Sequence, residues 1–94
     1  MANAFIIHPA DSVVTVTEDI EAGSPVTYLL GEREIVITAV DPIPKYHKAA
    51  ICAVPRGKYV YKYGEIIGVA TEDIEIGRHV HTQNLTDVPR EEQT

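Results

Sequence analysis

His79, His81 and Gln83 stand at alternate positions near the end of the chain, with Val80 between the two histidines. In an extended strand alternate side chains share one face, so both imidazoles and the Gln83 amide would point the same way and Val80 the other. Two imidazoles on one face can hold a divalent metal together, grip a carboxylate or pass a proton. A complete metal site needs a third ligand, and no neighbour in the sequence supplies one. The bland alternative is two solvated histidines, which spacing alone favours. A second pair, His47-Lys48, follows the stiff stretch Asp41-Pro42-Ile43-Pro44. A Lys positioned beside a His suits the carboxylate of a sugar acid; a solvated loop is the competing reading. Tyr59, Tyr61 and Tyr63 also alternate, with Lys62 on the opposite face, and are expected to cover the edge of the core rather than stack on a ligand. Cys52 lies in the apolar run AAICAV and reads as a buried, inert thiol.

The elements that must position these groups are short. Phe5 to Ile7 reads as a first strand and Val13 to Thr17 as a second. Thr17-Glu18-Asp19-Ile20-Glu21-Ala22-Gly23, ending at Val26, returns as Thr71-Glu72-Asp73-Ile74-Glu75-Ile76-Gly77, ending at Val80. Val54-Pro55-Arg56-Gly57 to Val60 is a weaker copy. Ile43-Pro44-Lys45-Tyr46 is a candidate fourth, with Tyr46 where Gly would stand. In this phrase an apolar residue enters the core, the chain turns, Gly supplies a dihedral pair that other residues avoid, and Val opens the next strand. Asp at the front is expected to bond its own backbone and set the turn. The acidic pairs Glu18-Asp19 and Glu72-Asp73 therefore read as turn residues, not a catalytic dyad. Val26 to Leu30 and Glu34 to Val40 form a hairpin across Gly31-Glu32. Ile35-Val36-Ile37 is apolar on both faces, which predicts a central strand. Propensity allows a helix over 45–54, although prolines flank it. Gly68 inside the strand Glu65 to Ala70 marks a bulge or a close backbone approach. His79 to Leu85 reads as the last strand.

The chain has 94 residues, which suits one domain, placed over residues 1–86, with a polar tail or linker start over 87–94. A net charge of −6 without any basic run argues against nucleic acid, whose phosphates need clustered Lys and Arg. No apolar stretch approaches the roughly 20 residues that span a bilayer. A single cysteine cannot form an internal disulfide, and a cytoplasmic home is the simplest reading. There is no nucleophile elbow, phosphate loop or CxxC pair. Val and Ile must fill the core, which favours a mainly β fold in which the chain doubles back often.

Three stretches, FIIHPADSVVTVTEDIEAG, DPIPKYHKAAI and VYKYGEIIGVATEDIEIGRHVHTQNL, together resemble the SAF-type domain of the altronate and galactarate dehydratase family. The chain is also similar to the small subunit of the related sulfolactate sulfo-lyases. The resemblance runs from Phe5 to Leu85 and implies the β-clip fold, which type III antifreeze shares. It implies a large catalytic domain or subunit as partner, a hydroxy-acid substrate, and a divalent metal, iron or manganese, held mostly by that partner. The ending HVHTQN looks like the family's HVHxHN signature, which implies His79, His81 and Asn84, with Gln83 where the family has a third histidine. His47 and Lys48 match a Gly-His-Lys stretch in which Tyr46 replaces the glycine.

The resulting expectation is an accessory domain or small subunit of a dehydratase-type lyase. His79 and His81 would be the catalytic pair, and also the candidate metal ligands. His47, Lys48, Gln83 and Asn84 would contact substrate. By itself the chain should be inactive. The alternative is a non-catalytic β-clip module that binds carbohydrate or protein. Ice binding is a weaker third, because 14 acidic and 8 basic side chains leave little flat, uncharged surface. A homodimer is a further expectation, since small β domains expose strand edges.

Overall fold

The computed structural model describes residues 2–88. Among them there is no helix, and none long and apolar enough to cross a membrane. Nine strands follow one another: β1 (Ala4–Phe5), β2 (Val13–Val16), β3 (Pro25–Leu30), β4 (Arg33–Thr38), β5 (Lys48–Ala50), β6 (Tyr59–Lys62), β7 (Glu65–Ala70), β8 (His79–Val80) and β9 (Leu85–Thr86). They form an antiparallel four-stranded sheet in the order β1-β2-β5-β8, the hairpin β3-β4, and a three-stranded sheet β6-β7-β9. The mainly β, short-stranded architecture expected of a β-clip domain is what the chain adopts. Positions 89–94 of the expected tail lie outside the described residues.

The central sheet divides two cores. Along a strand successive side chains take opposite faces. Val14, Val16 and Ala49 accordingly enter one core with Ile20, Val26, Tyr28 and Ile43. Val13, Ala50 and Val80 enter the other with Val54, Val60, Ala70 and Ile74. A strand buried on both faces must be apolar or small throughout. That is why Ala49 and Ala50, both 0% exposed, stand side by side where a helix was admissible. The small side chains let both cores approach one strand, and pairing to β2 and β8 outweighs the helix propensity of alanine.

The repeated turn phrase builds both cores. Ile20, Ile43, Val54 and Ile74 are all buried, and so are the residues six positions on: Val26, Ala49, Val60 and Val80. The phrases pair, Ile20 with Ile43 and Val54 with Ile74, through isolated antiparallel bridges. Gly23, Gly57 and Gly77 have φ of 88°, 86° and 93°. Tyr46 adopts φ 70°, so the fourth copy is real and a tyrosine occupies its left-handed position. The acidic residue works differently from expectation. Asp19 Oδ1 accepts from the Lys45 N–H at 2.8 Å and Asp73 Oδ1 from the Arg56 N–H at 2.9 Å. Each aspartate thus bonds the backbone of the partner phrase rather than its own.

Several expectations are corrected. Among the described residues β4 pairs with β3 alone, so Ile35 and Ile37 pack inward while Val36 is 56% exposed; the strand is not central. The first strand begins at Ala4, which is buried, and ends at Phe5. Cys52 is exposed because β5 ends at Ala50 and the chain bends outward at Ile51 and Cys52. The tyrosines do not line a core edge. The register shifts between Val60 and Tyr61, Tyr59 and Tyr63 are exposed, and Val60 does the filling. Tyr63 leaves the strand with φ 62°, so Lys62 lies beside it, its Nζ donating to Tyr63 Oη at 2.9 Å. Gly68 is the expected close approach: a Cβ there would lie 2.6 Å from the Thr86 carbonyl oxygen on β9.

Candidate functional site

The chain does not stay extended from His79 to Leu85. β8 ends at Val80, a turn spans 81–84, and β9 begins at Leu85. The cause is Asn84, which is 1% exposed. Its Oδ1 accepts from the His81 N–H at 3.1 Å and its Nδ2 donates to the His79 carbonyl at 2.9 Å, while its N–H donates to the His81 carbonyl. One buried amide therefore folds the segment into a loop that carries both histidines. The strand rule would have set the two rings on one face of a flat ribbon. The loop instead stacks them, with centroids 5.6 Å apart and planes 14° from parallel.

A third imidazole joins them. Register pairs Ala49 with His79 across β5 and β8, which brings His47 beside the loop. The left-handed turn at Tyr46 redirects the chain just before it, and the His47 N–H donates to the Pro44 carbonyl. His47 Nδ1 lies 2.9 Å from His79 Nε2, and its ring centroid lies 4.8 Å from that of His81. One nitrogen from each of His47, His79 and His81 falls within 4.8 Å of the others. His47 and His79 are half-buried and His81 is exposed, so the cluster opens to solvent on one side. The chain does hold a third imidazole, but it comes from 32 residues upstream of His79.

Gln83 ties the turn back to His79. Its Nε2 donates to the His79 carbonyl at 2.9 Å, which fixes the amide's orientation, and the same nitrogen lies 3.4 Å from His79 Nδ1. A His79 tautomer with its proton on Nε2 would accept from Gln83 at Nδ1 and donate to His47 Nδ1. Burial, then the neighbouring His47 and His81 and the more remote Lys48, lower the pKa of His79; the Asp41 carboxylate opposes them only in part. His79 is therefore neutral at physiological pH and able to accept a proton or a metal.

Asp41 anchors the other side of the loop. Its Oδ2 accepts from the His79 N–H at 3.0 Å and from Arg78 Nε at 2.9 Å. Partial burial works to raise its pKa, but those two hydrogen bonds and the nearby Arg78 charge bring it below the usual carboxylate value. Sequence reasoning saw Asp41 only as part of a stiff connector; nothing in its neighbourhood announces a partner 38 positions away. Asp11 was missed likewise. It is 5% exposed, and its carboxylate accepts N–H groups from His8, Tyr63 and Gly64, holding the β6–β7 turn.

Of the six site residues expected from sequence, the fold brings four together: His47, His79, His81 and Gln83. Lys48 takes the Ala50 face of β5. Its pKa is lowered by burial first and by Lys62 second, with Tyr63 opposing. Asn84 lies beneath the loop with its side chain consumed by backbone, in a place to position the histidines and not to touch a substrate. The described residues thus include a nitrogen-rich cluster able to hold a divalent transition metal, bind an anionic oxygen ligand or exchange protons.

Comparison with known proteins gives this geometry its context. The family described as the altronate/galactarate dehydratase SAF domain matches residues 2–88. An altronate dehydratase of Bacillus subtilis (strain 168) is 35% identical over 84 residues, which cover 89% of this chain and 16% of that protein. The (2R)-sulfolactate sulfo-lyase subunit alpha of Paracoccus pantotrophus is 48% identical over 48 residues, covering 51% of this chain and 72% of that subunit. An altronate dehydratase of Escherichia coli (strain K12) is 33% identical over 78 residues, 83% of this chain and 15% of that enzyme. The chain thus spans about a sixth of the length of the dehydratases it matches. With its short antiparallel strands, paired turn phrases and family match over nearly every residue, it belongs to the SAF-domain family of the altronate and galactarate dehydratases.

Proposed function

We propose that this chain is the accessory domain or small subunit of a hydroxy-acid lyase of the dehydratase type and that a large catalytic partner completes the site. The carrying observation is the convergence of His47, His79 and His81 at an open surface of a domain whose relatives include a lyase subunit and a small part of dehydratases. Among the described residues no closed catalytic set accompanies the histidines, so the isolated chain is expected to be inactive.

In such a reaction the proton α to a carboxylate is taken by a base, and the β-substituent leaves with assistance from an acid. A divalent metal, iron or manganese, would supply polarisation of the carboxylate and hydroxyl in the full enzyme. Here His79, neutral and hydrogen-bonded to His47, can accept a proton or bind a substrate hydroxyl. His81, exposed at the rim, can meet the carboxylate. Gln83 and Asn84 hold the loop so that the rings keep their spacing, and Asp41 holds its backbone. A soluble cytoplasmic enzyme of sugar-acid metabolism fits this reading.

The test is recovery of the chain from its native source with whatever binds it, the partner identified by mass and the assembly assayed for lyase turnover on hydroxy acids with and without chelator. A large partner and chelator-sensitive elimination are the expected result. An assembly that recovers intact but eliminates neither water nor sulfite would overturn the proposal.

A further inference from the structure

The same three rings carry a more specific assignment. We propose that the chain by itself binds one divalent transition ion through His47, His79 and His81, and that the substrate's carboxylate and hydroxyl oxygens take the positions left open. The geometry is close to what ligation needs. In a tetrahedral site with metal–nitrogen bonds of about 2.0–2.1 Å, ligand nitrogens lie about 3.3 Å apart. Here they already lie within 4.8 Å, and His47 Nδ1 and His79 Nε2 are 2.9 Å apart. Small rotations of two rings close the difference. The backbone beneath them is fixed, because Asn84 and Asp41 tie both ends of the His79–His81 segment. On ligation the hydrogen bond between His47 and His79 is released, and the ring proton between them moves to the other nitrogen of the ring that carries it.

The donor set also selects the ion. Three imidazoles suit zinc, ferrous iron, cobalt, nickel and copper. Calcium and magnesium require oxygen ligands, and Asp41, the adjacent carboxylate, is committed to Arg78 and to the His79 backbone. Three neutral ligands leave the full charge of the ion to attract an anionic chelate, and three protein ligands with open positions is the pattern of a catalytic rather than a structural site. With the ion bound, the histidines act as ligands and proton transfer falls to the partner.

The test uses the full chain without a partner. Cobalt(II) is titrated by visible absorption and zinc by calorimetry, against excess magnesium. The expected result is one ion per chain, undisturbed by magnesium. His47→Ala, His79→Ala and His81→Ala should each weaken binding by at least the roughly 100-fold that loss of a mere hydrogen-bond partner of a ligand can cause. His8→Ala should leave it unchanged, since His8 packs against Gly64, outside the cluster. Absence of binding, retention of full affinity in His47→Ala, or loss in His8→Ala would each overturn the assignment. Should an alanine variant unfold, ring nitrogen resonances of the unaltered chain decide: zinc must shift the rings of His47, His79 and His81 and leave His8 in place. Shifts confined to two rings, or including His8, would overturn it. The outcome is independent of lyase activity, because a chain that binds no ion can still support turnover in the assembled pair.

Discussion

A proton on His79 meets burial first, then repulsion from His47, His81 and Lys48, and only Asp41 favours it. Its folded pKa therefore lies below the ordinary 6.5, which the unfolded chain should show. In the window between those values the unfolded state binds more protons, so stability must rise with pH there. It should be complete above about 6.5 and fall as the pH drops through the depressed folded value. Urea midpoints across pH 5–8 should show this slope in the unaltered chain and a shallower one in His79→Gln. Equal slopes would remove His79 as its source. Asn84→Ala makes a separate prediction. It leaves the His81 N–H and part of the His79 carbonyl's bonding unmet under a closed loop, at about 1–3 kcal/mol for each group left unsatisfied. Chemical denaturation measures that loss, and proton spectra should show the histidine rings losing their mutual stacking. At this scale the sequence was partly legible. His79, His81 and Gln83 announced themselves by spacing and His47 by its setting. What joins His47 to the others is strand register, a contact between residues far apart in the chain, which no local pattern encodes.

The turn phrase is the element that the sequence displayed most openly, and its copies make a substitution series. Gly57 and Gly77 have nearly the same left-handed φ, but a Cβ at Gly57 meets nothing within 4 Å, whereas one at Gly77 runs into the Thr38 carbonyl of β4. Gly57→Ala should therefore cost the roughly 1–2 kcal/mol of placing a side chain in that backbone region. Gly77→Ala should add the roughly 1–3 kcal/mol of overpacking. Thermal or urea unfolding of the two variants checks the ranking, and equal losses would contradict the packing around Gly77. Tyr46, 67% exposed at φ 70°, should respond oppositely. Tyr46→Gly relieves the left-handed backbone at little cost in packing and should stabilise the chain by up to about 1 kcal/mol. The hairpin, the turns and the close approach at Gly68 were readable because each follows from local chemistry. The place of β4 was not, since Ile35-Val36-Ile37 would suit a central strand equally well; its edge position depends on what else pairs. Cys52 and the tyrosines misled for a related reason: a bend after Ala50 and a register shift at Val60 and Tyr61 reset which side chains face inward.

The whole molecule is a scaffold with two small cores, one on each face of a central sheet, and a histidine cluster at the rim of that sheet. The chain spans about a sixth of the length of its dehydratase relatives, and its described residues offer imidazoles but no closed reaction chamber. On the proposed reading, function appears only in the assembled enzyme, with this chain supplying groups to a site that it does not enclose. The direct measurement is turnover of the large partner on its hydroxy acid, alone, with the unaltered chain, and with a His79→Ala/His81→Ala chain verified to be folded and bound. No turnover by either component alone, full turnover for the pair, and a loss of roughly 100-fold or more with the double variant are expected, since the rings act either as proton-transfer groups or as ligands of the ion. Undiminished turnover with the folded, bound double variant would contradict that reading.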